Sequence, residues 1–157
     1  MRNYPPVPAE ELRGKIVIDT MNYYPRRDGN IAELDDESTT SSALLQAHLP
    51  DSKVVKGFNN IFFQHLAALP RSTGAQDRVA LAIAGDDPEV KKVVAELLDE
   101  IGHDTVDVGP PVAGVAHAAT VAYGVMYAVN PQAWDQGARP ASAGEVAKRA
   151  AEVAPSP

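Results

Sequence analysis

The chain has 157 residues, of which 45% are apolar and 22% are charged, and these values predict one globular domain and exclude a complete two-domain enzyme. Its formal net charge of −7 argues against nucleic acid and anionic membranes as partners, and leaves small molecules and proteins. Cysteine is absent, which excludes disulfides and thiolate sites and favours a reducing, cytoplasmic location.

The first predicted elements are an extended leader over residues 1–14, with one helical turn over residues 9–12, and a strand over residues 15–19. The prolines at positions 5, 6 and 8 interrupt the apolar stretch that an export signal needs, so secretion is not expected. The strand prediction rests on the β-branched run after Gly14. A polar run then introduces a predicted helix over residues 43–49.

Strands and helices continue to alternate in the middle of the chain. A second strand is predicted over residues 53–58 and a helix over residues 61–69, which Pro70 ends. The third predicted strand, residues 79–84, is apolar at consecutive positions, which is typical of a strand that is covered on both faces.

A longer helix is predicted after the third strand. Apolar residues recur at helical spacing from Val90 to Ile101, Asp87 is placed to cap the first turn, and Gly102 follows the last. A fourth strand is predicted over residues 104–108.

The alternation of strands and helices predicts an α/β fold with about four mostly parallel strands and helices on both faces, formed by residues 15–110. Residues 111–157 are expected to be an Ala/Gly/Pro-rich C-terminal extension that packs on this domain, with a short helix over residues 143–151. The stretch Val108–Trp134 is uncharged, but its prolines and its Ala/Gly content argue against a membrane helix.

The segments that directly follow the strands are where a binding site is expected, because ligands of open α/β sheets bind beyond the carboxyl ends of the strands. Asn22 follows the first strand, and Asn59 follows the second, close to the aromatic Phe63; residues 85–88 and 109–111 follow the other two. Amide groups beside flat apolar rings suit a planar heterocycle. The same residues also suit an ordinary turn or core, and both interpretations stay open.

The sequence lacks the motifs of several other chemistries. No two of its eleven glycines are separated by a single residue, so the G-x-G of a dinucleotide-binding loop is absent, and the P-loop pattern is absent as well. None of its four histidines belongs to a zinc-type motif, and no G-x-S-x-G motif occurs. No metal site, no catalytic side chain and no phosphate cradle are therefore predicted.

Four separate runs occur in the order and with the spacing of one known family. They are Gly-Lys-Ile-Val-Ile-Asp-Thr-Met-Asn-Tyr-Tyr-Pro (residues 14–25), Glu-Leu-Asp-Asp-Glu-Ser-Thr (33–39), Lys-Val-Val-Lys-Gly-Phe-Asn-Asn-Ile (53–61) and Ile-Ala-Gly-Asp-Asp (83–87). These runs resemble the NADP oxidoreductases that depend on coenzyme F-420, a deazaflavin, and the match spans about residues 10–130.

The resemblance implies a Rossmann-type fold and hydride transfer between NADP(H) and a deazaflavin. It further implies that residues after the first two strands line the nicotinamide and deazaflavin rings. The candidate cofactor-binding residues are Asn22, Asn59, Ile61 and Phe63.

The resemblance begins after the family's first strands and its Gly-rich phosphate loop. A βαβ unit takes roughly 30 residues, so a missing half of at least about 60 residues is expected. The chain is thus expected to form a partial Rossmann-like fold that lacks the N-terminal βαβ unit and that does not bind NADP independently. Between residues 109 and 124 it also departs from the bulky residues that relatives carry, which leaves the outer wall of a deazaflavin site in question.

Four interpretations of function follow, and all stay open. The chain is a truncated oxidoreductase with NADP and a deazaflavin as the implied cofactors, or a fragment that another chain or a second copy completes at an exposed sheet edge. It is otherwise a non-catalytic half-Rossmann domain for binding or structure, or part of a longer gene whose start was placed wrongly at Met1.

Overall fold

Strands and helices alternate along the chain in this computed structural model, which describes residues 7–110 and 140–153. Within these residues the strands are β1 Ile16–Asp19, β2 Lys53–Lys56, β3 Ala80–Ile83 and β4 Asp104–Asp107. The helices are α1 Ala9–Leu12, α2 Pro25–Asp28, α3 Ala32–Asp35, α4 Ser41–His48, α5 Phe63–Ala68, α6 Pro88–Glu100 and α7 Ala143–Val153. The start of the predicted leader, most of the uncharged stretch Val108–Trp134 and most of the predicted extension lie outside the described residues.

The four strands form two parallel pairs. β1 pairs with β2, with Ile16 opposite Lys53 and Asp19 opposite Lys56, and β3 pairs with β4. One antiparallel bridge joins the pairs, in which Lys56 and Ala84 exchange two backbone hydrogen bonds of 2.8 and 3.1 Å. The predicted α/β class with mostly parallel strands is confirmed, and the arrangement is that of a partial Rossmann-like fold.

The antiparallel bridge decides where the strand ends lie. The chain that leaves β3 runs back along β2, so Gly85 lies beside Val54 and Val55. The amide of Gly85 also donates to the carbonyl of Gly109, which follows β4, at 3.0 Å. The segments after β3 and β4 therefore meet each other, and they lie apart from the segments after β1 and β2.

The core is built around β3, all four residues of which are buried, as the continuous apolar run predicts. Val94 and Leu98 of α6 pack against it. Ala141 and Val146, from the part of the chain beyond residue 139, belong to the same buried cluster. A smaller cluster lies under α4, where Leu45 and Leu49 meet Val54. The division of the chain at residue 110 stays a prediction.

Helix α6 begins and ends as its sequence predicts. The carboxylate of Asp87 accepts hydrogen bonds from the amides of Glu89 and Val90, at 3.1 and 3.3 Å, and Pro88 occupies the first turn. After the helix, Gly102 adopts a φ of +94°, in the region that favours glycine.

Replacing Gly102 with alanine is expected to lower the free energy of unfolding by about 2 kcal/mol or more. A β-carbon there would lie 2.8 Å from Cβ of Pro70 and 2.9 Å from the amide nitrogen of Arg71, so the backbone of the neighbouring loop would have to shift. Gly74→Ala is the matched control, because Gly74 has a φ of +84° but no atom within 4 Å of the added carbon. Urea denaturation of both variants measures the difference in their free energies of unfolding. Equal losses in the two variants would contradict the close contact of residue 102 with the loop at Pro70 and Arg71.

The fully buried ring of His103 predicts a pH dependence of stability. Burial lowers the pKa of His103 below its ordinary value of 6.5. The unfolded chain therefore takes up a proton that the folded chain resists, and the free energy of unfolding is expected to fall as the pH drops below about 6.5. Urea denaturation between pH 7.5 and 5.5 tests this: His103→Phe should flatten the curve, whereas His48→Phe, at an exposed ring, should not. Identical curves for the wild type and His103→Phe would contradict it.

Candidate functional site

A cleft of about 450 Å³ opens where β1 and β2 end. All four residues that the sequence predicts as cofactor-binding contribute to its wall. The lining residues are Thr20, Asn22, Phe58, Asn59, Ile61, Phe62, Phe63 and Leu66. The structure thus brings the predicted residues together in one place, while their role in binding stays a prediction.

Asn22 forms the wall on the β1 side. Its side-chain nitrogen donates to the backbone carbonyl of Asn59 at 3.1 Å, which ties the loop after β1 to the loop after β2. The guanidinium of Arg27 donates to the carbonyl of Asn22 at 2.7 Å and lies over the ring of Tyr24, 4.9 Å from its centroid. Asn22 is therefore held both through its side chain and through its backbone carbonyl.

A sharp turn after β2 forms the floor of the cleft. Phe58 has a φ of +59°, which is uncommon for a residue with a bulky side chain. Such backbone strain concentrates at functional sites, where the surrounding structure enforces it. The turn carries Asn59, Asn60 and Ile61 into buried positions directly after the strand.

The amide of Asn59 is the polar group of this floor. Asn59 is 2% exposed, and neither its Nδ2 nor its Oδ1 has a hydrogen-bond partner in the described part of the chain. Leaving a buried polar group unsatisfied costs about 1–3 kcal/mol. A polar group that enters the cleft and meets this amide would recover that free energy.

Phe63 provides the apolar wall at the first residue of α5. Its side chain is 71% exposed, so the interpretation of Phe63 as a core residue is wrong. It makes an edge contact with Phe62, with ring centroids 4.6 Å apart, and Phe62 makes a second edge contact with His65. An exposed aromatic ring beside a cleft is a surface on which a flat ligand can stack.

A buried ion pair of Asp19 and Lys56, which the sequence did not predict, lies beside the cleft. The two residues lie opposite each other at the last positions of β1 and β2, and their charged atoms are 3.1 Å apart. Burial lowers the pKa of Lys56, and the carboxylate of Asp19 opposes that shift. The available signal was a charged residue at the carboxyl end of each of two β-branched runs.

None of the described residues after β3 and β4 lines this cleft. A second cleft of about 240 Å³ lies at the start of β2, where the ammonium of Lys53 is 3.4 Å from the carboxylate of Asp87. Asp87 caps α6, as the sequence predicts. The site predicted from strand ends is therefore formed by β1 and β2.

Clusters of metal-ligating side chains and membrane-spanning helices are both absent from the residues that the structure describes. No three side chains of the metal-ligating types cluster within residues 7–110 and 140–153. In the same part of the chain, no helix has the length and apolar content that crossing a bilayer requires.

Several solved structures are similar to this chain, and two of them are described here. No protein-family profile and no curated protein matches the chain. A protein from Arthrobacter sp. FB24, provisionally described as an F-420-dependent NADP reductase, is 26% identical with a TM-score of 0.56, over 78% of this chain and 55% of that one. A hypothetical protein from Sinorhizobium meliloti is 30% identical with a TM-score of 0.52, over 65% of this chain and 48% of that one. The chain spans about half the length of each. The likeness to the Arthrobacter protein confirms the resemblance to this oxidoreductase family.

Proposed function

We propose, from the confirmed resemblance to the F-420-dependent NADP oxidoreductases, that the cleft after β1 and β2 binds the planar ring of a redox cofactor during hydride transfer between NADP(H) and a deazaflavin. The observation that carries the proposal is the buried, unpartnered amide of Asn59 at the floor of a cleft with an aromatic wall. The name given to the Arthrobacter protein supports the choice of cofactors.

The chemistry of the cleft suits a heterocycle with one polar edge and two apolar faces. The side-chain amide of Asn59 offers an NH2 group that donates and a carbonyl oxygen that accepts, which match the carbonyl and N–H groups along the edge of a deazaflavin or of a carboxamide. Both amide atoms are closed to solvent, so a rotation of the side chain presents them to the ligand. Phe63, already exposed, covers a face of the ring without rearrangement.

The residues of the cleft would position the ring and exclude water. When bound, the reduced cofactor supplies the hydride, and its transfer depends on two rings held face to face at short distance. No ionisable side chain lines the cleft among the described residues, in keeping with a transfer that needs no acid or base from the protein. Asn22 and Asn59, tied to each other across the cleft, fix the separation of its two sides.

The phosphates of NADP are assigned to residues outside the described cleft. The sequence has no G-x-G, so a phosphate loop at a helix N-terminus would have to come from another chain or from further sequence. The outer edge of β1 offers a place for a complementing strand, because in the described residues β1 pairs only with β2 and Ile16 is exposed. Independent NADP binding is accordingly expected to be weak.

Calorimetric titration separates this function from that of a non-catalytic domain. A 5-deazaflavin should bind with a stoichiometry of one, and NADPH should bind much more weakly or not at all. Phe63→Ala should weaken the binding of the deazaflavin by removing the stacking surface. Micromolar binding of NADPH alone would contradict the expectation that this chain has no site for the phosphates. A stable chain that binds neither compound would favour the non-catalytic domain.

A further inference from the structure

We propose that the buried ion pair of Asp19 and Lys56 positions the loop after β1, and that it thereby holds the amide of Asn22 at the cleft. Asp19 stands three residues before Asn22, and Lys56 stands three residues before Asn59. The pair therefore lies where both of the loops that form the cleft begin. The part of this inference that concerns ligand binding rests on the proposed function.

Both backbone polar groups of Met21 are bound by the ion pair. The carboxylate of Asp19 accepts from the amide of Met21 at 2.9 Å, and the ammonium of Lys56 donates to the carbonyl of Met21. The other carboxylate oxygen accepts from Lys56 at 3.1 Å and from the hydroxyl of Ser42 at 2.6 Å. One ion pair thus joins β1, β2 and α4 to a single residue of the loop.

The position of Met21 fixes the start of Asn22, which is the next residue. The side chain of Asn22 reaches the carbonyl of Asn59 across the cleft, a contact that depends on where its backbone begins. The amide of Gly57 donates to the carbonyl of Asp19 at 3.0 Å, so the same strand ends are also joined through their backbones. A shift of the Met21 peptide would move Asn22 and open the cleft.

Stability alone does not account for an ion pair at this place. Asp19 is 2% exposed and Lys56 is 4% exposed, and removing two charges from water costs several kcal/mol per ion. Apolar residues of similar volume often replace a buried ion pair without loss of stability. Such residues cannot bind the amide and the carbonyl of Met21, however, and this is what the pair provides.

Two double variants separate positioning from stability. Asp19→Leu with Lys56→Met fills the same space without polar groups, and it should fold with a melting temperature close to that of the wild type. Asp19→Asn with Lys56→Gln removes the charges but keeps an acceptor and a donor for Met21. Lys53→Met, at the exposed start of β2, is the matched control.

Amide hydrogen exchange and NMR spectra of each folded chain test the inference without a ligand. In the Leu/Met variant, exchange of the Met21 amide should accelerate about tenfold or more, as expected for a lost local hydrogen bond, and the Asn22 side-chain signals should move toward those of an exposed asparagine. The Asn/Gln variant and the Lys53→Met control should keep the wild-type behaviour. If the Leu/Met variant does not fold, the Asn/Gln variant decides: retained protection of Met21 supports the inference, and lost protection overturns it. Unchanged exchange and signals in a folded Leu/Met variant would also overturn it.

A deazaflavin titration of the same variants tests whether the ion pair also matters for ligand binding. The Leu/Met variant should bind the deazaflavin about tenfold more weakly than the wild type, because the wall of the cleft is no longer held in place. If the wild type binds no deazaflavin, the proposed function fails, while the exchange of Met21 still decides whether the pair positions the loop. If the folded Leu/Met variant binds as tightly as the wild type, positioning for binding is overturned.

Discussion

Replacing Lys56 alone with methionine is expected to lower the free energy of unfolding by about 3–5 kcal/mol. The reason is that the buried carboxylate of Asp19 would lose its cation, and among the described residues Ser42 and the amide of Met21 would be its remaining hydrogen-bond donors. An uncompensated buried charge costs far more than the net value of the pair it came from. Urea denaturation at neutral pH measures the loss.

The matched control is Lys53→Met on the same strand. The side chain of Lys53 is 61% exposed and its ammonium pairs with Asp87 at 3.4 Å, so its removal should cost at most about 1 kcal/mol. Adding Asp19→Leu to Lys56→Met should restore most of the stability that the single variant loses. A single variant as stable as the wild type would show that the charge of Asp19 is not buried as described.

Replacing Asn59 with leucine is expected to affect stability and binding in opposite directions. Leucine has the same branching at Cγ and no polar atom, so the free chain should gain about 1 kcal/mol or more once the unpartnered amide is removed. Binding of a deazaflavin should weaken at least tenfold, because the polar edge of the ring loses its donor and acceptor. Thermal unfolding and calorimetric titration of one preparation measure both effects.

Asn30→Leu serves as the control for this second prediction. Asn30 is an exposed asparagine, outside the residues that line the cleft, whose side chain donates to Asp35 at 2.9 Å. Its replacement should leave deazaflavin binding unchanged. If Asn59→Leu instead destabilises the chain and leaves binding intact, the amide of Asn59 serves the fold and has no part in recognition.

Local sequence signals predicted the elements of this fold well. The β-branched and apolar runs predicted all four strands, and Asp87 and Gly102 marked the ends of α6. Helices α2 and α3 were not predicted, because a single turn of four residues shows no apolar period. The rule that ligands bind after strands pointed to Asn22 and Asn59, which line the cleft.

Features that depend on the direction and pairing of strands could not be predicted. A run of apolar residues does not show which way its strand points, so the antiparallel bridge of Lys56 and Ala84, and the separation of strand ends that follows from it, appeared only in the structure. The buried ion pair was missed for a related reason. Asp19 and Lys56 are far apart in sequence, and a charged residue at the end of a strand is ordinarily exposed.

NMR mapping of the deazaflavin site tests the central claim most directly. Addition of a 5-deazaflavin to the isotope-labelled chain should shift the side-chain amide signals of Asn22 and Asn59 and the ring signals of Phe63, in proportion to the fraction bound. Signals around the second cleft, such as that of Lys53, should stay in place. Shifts confined to residues outside the cleft after β1 and β2, or no shifts at millimolar deazaflavin, would contradict the claim that this cleft holds a redox ring.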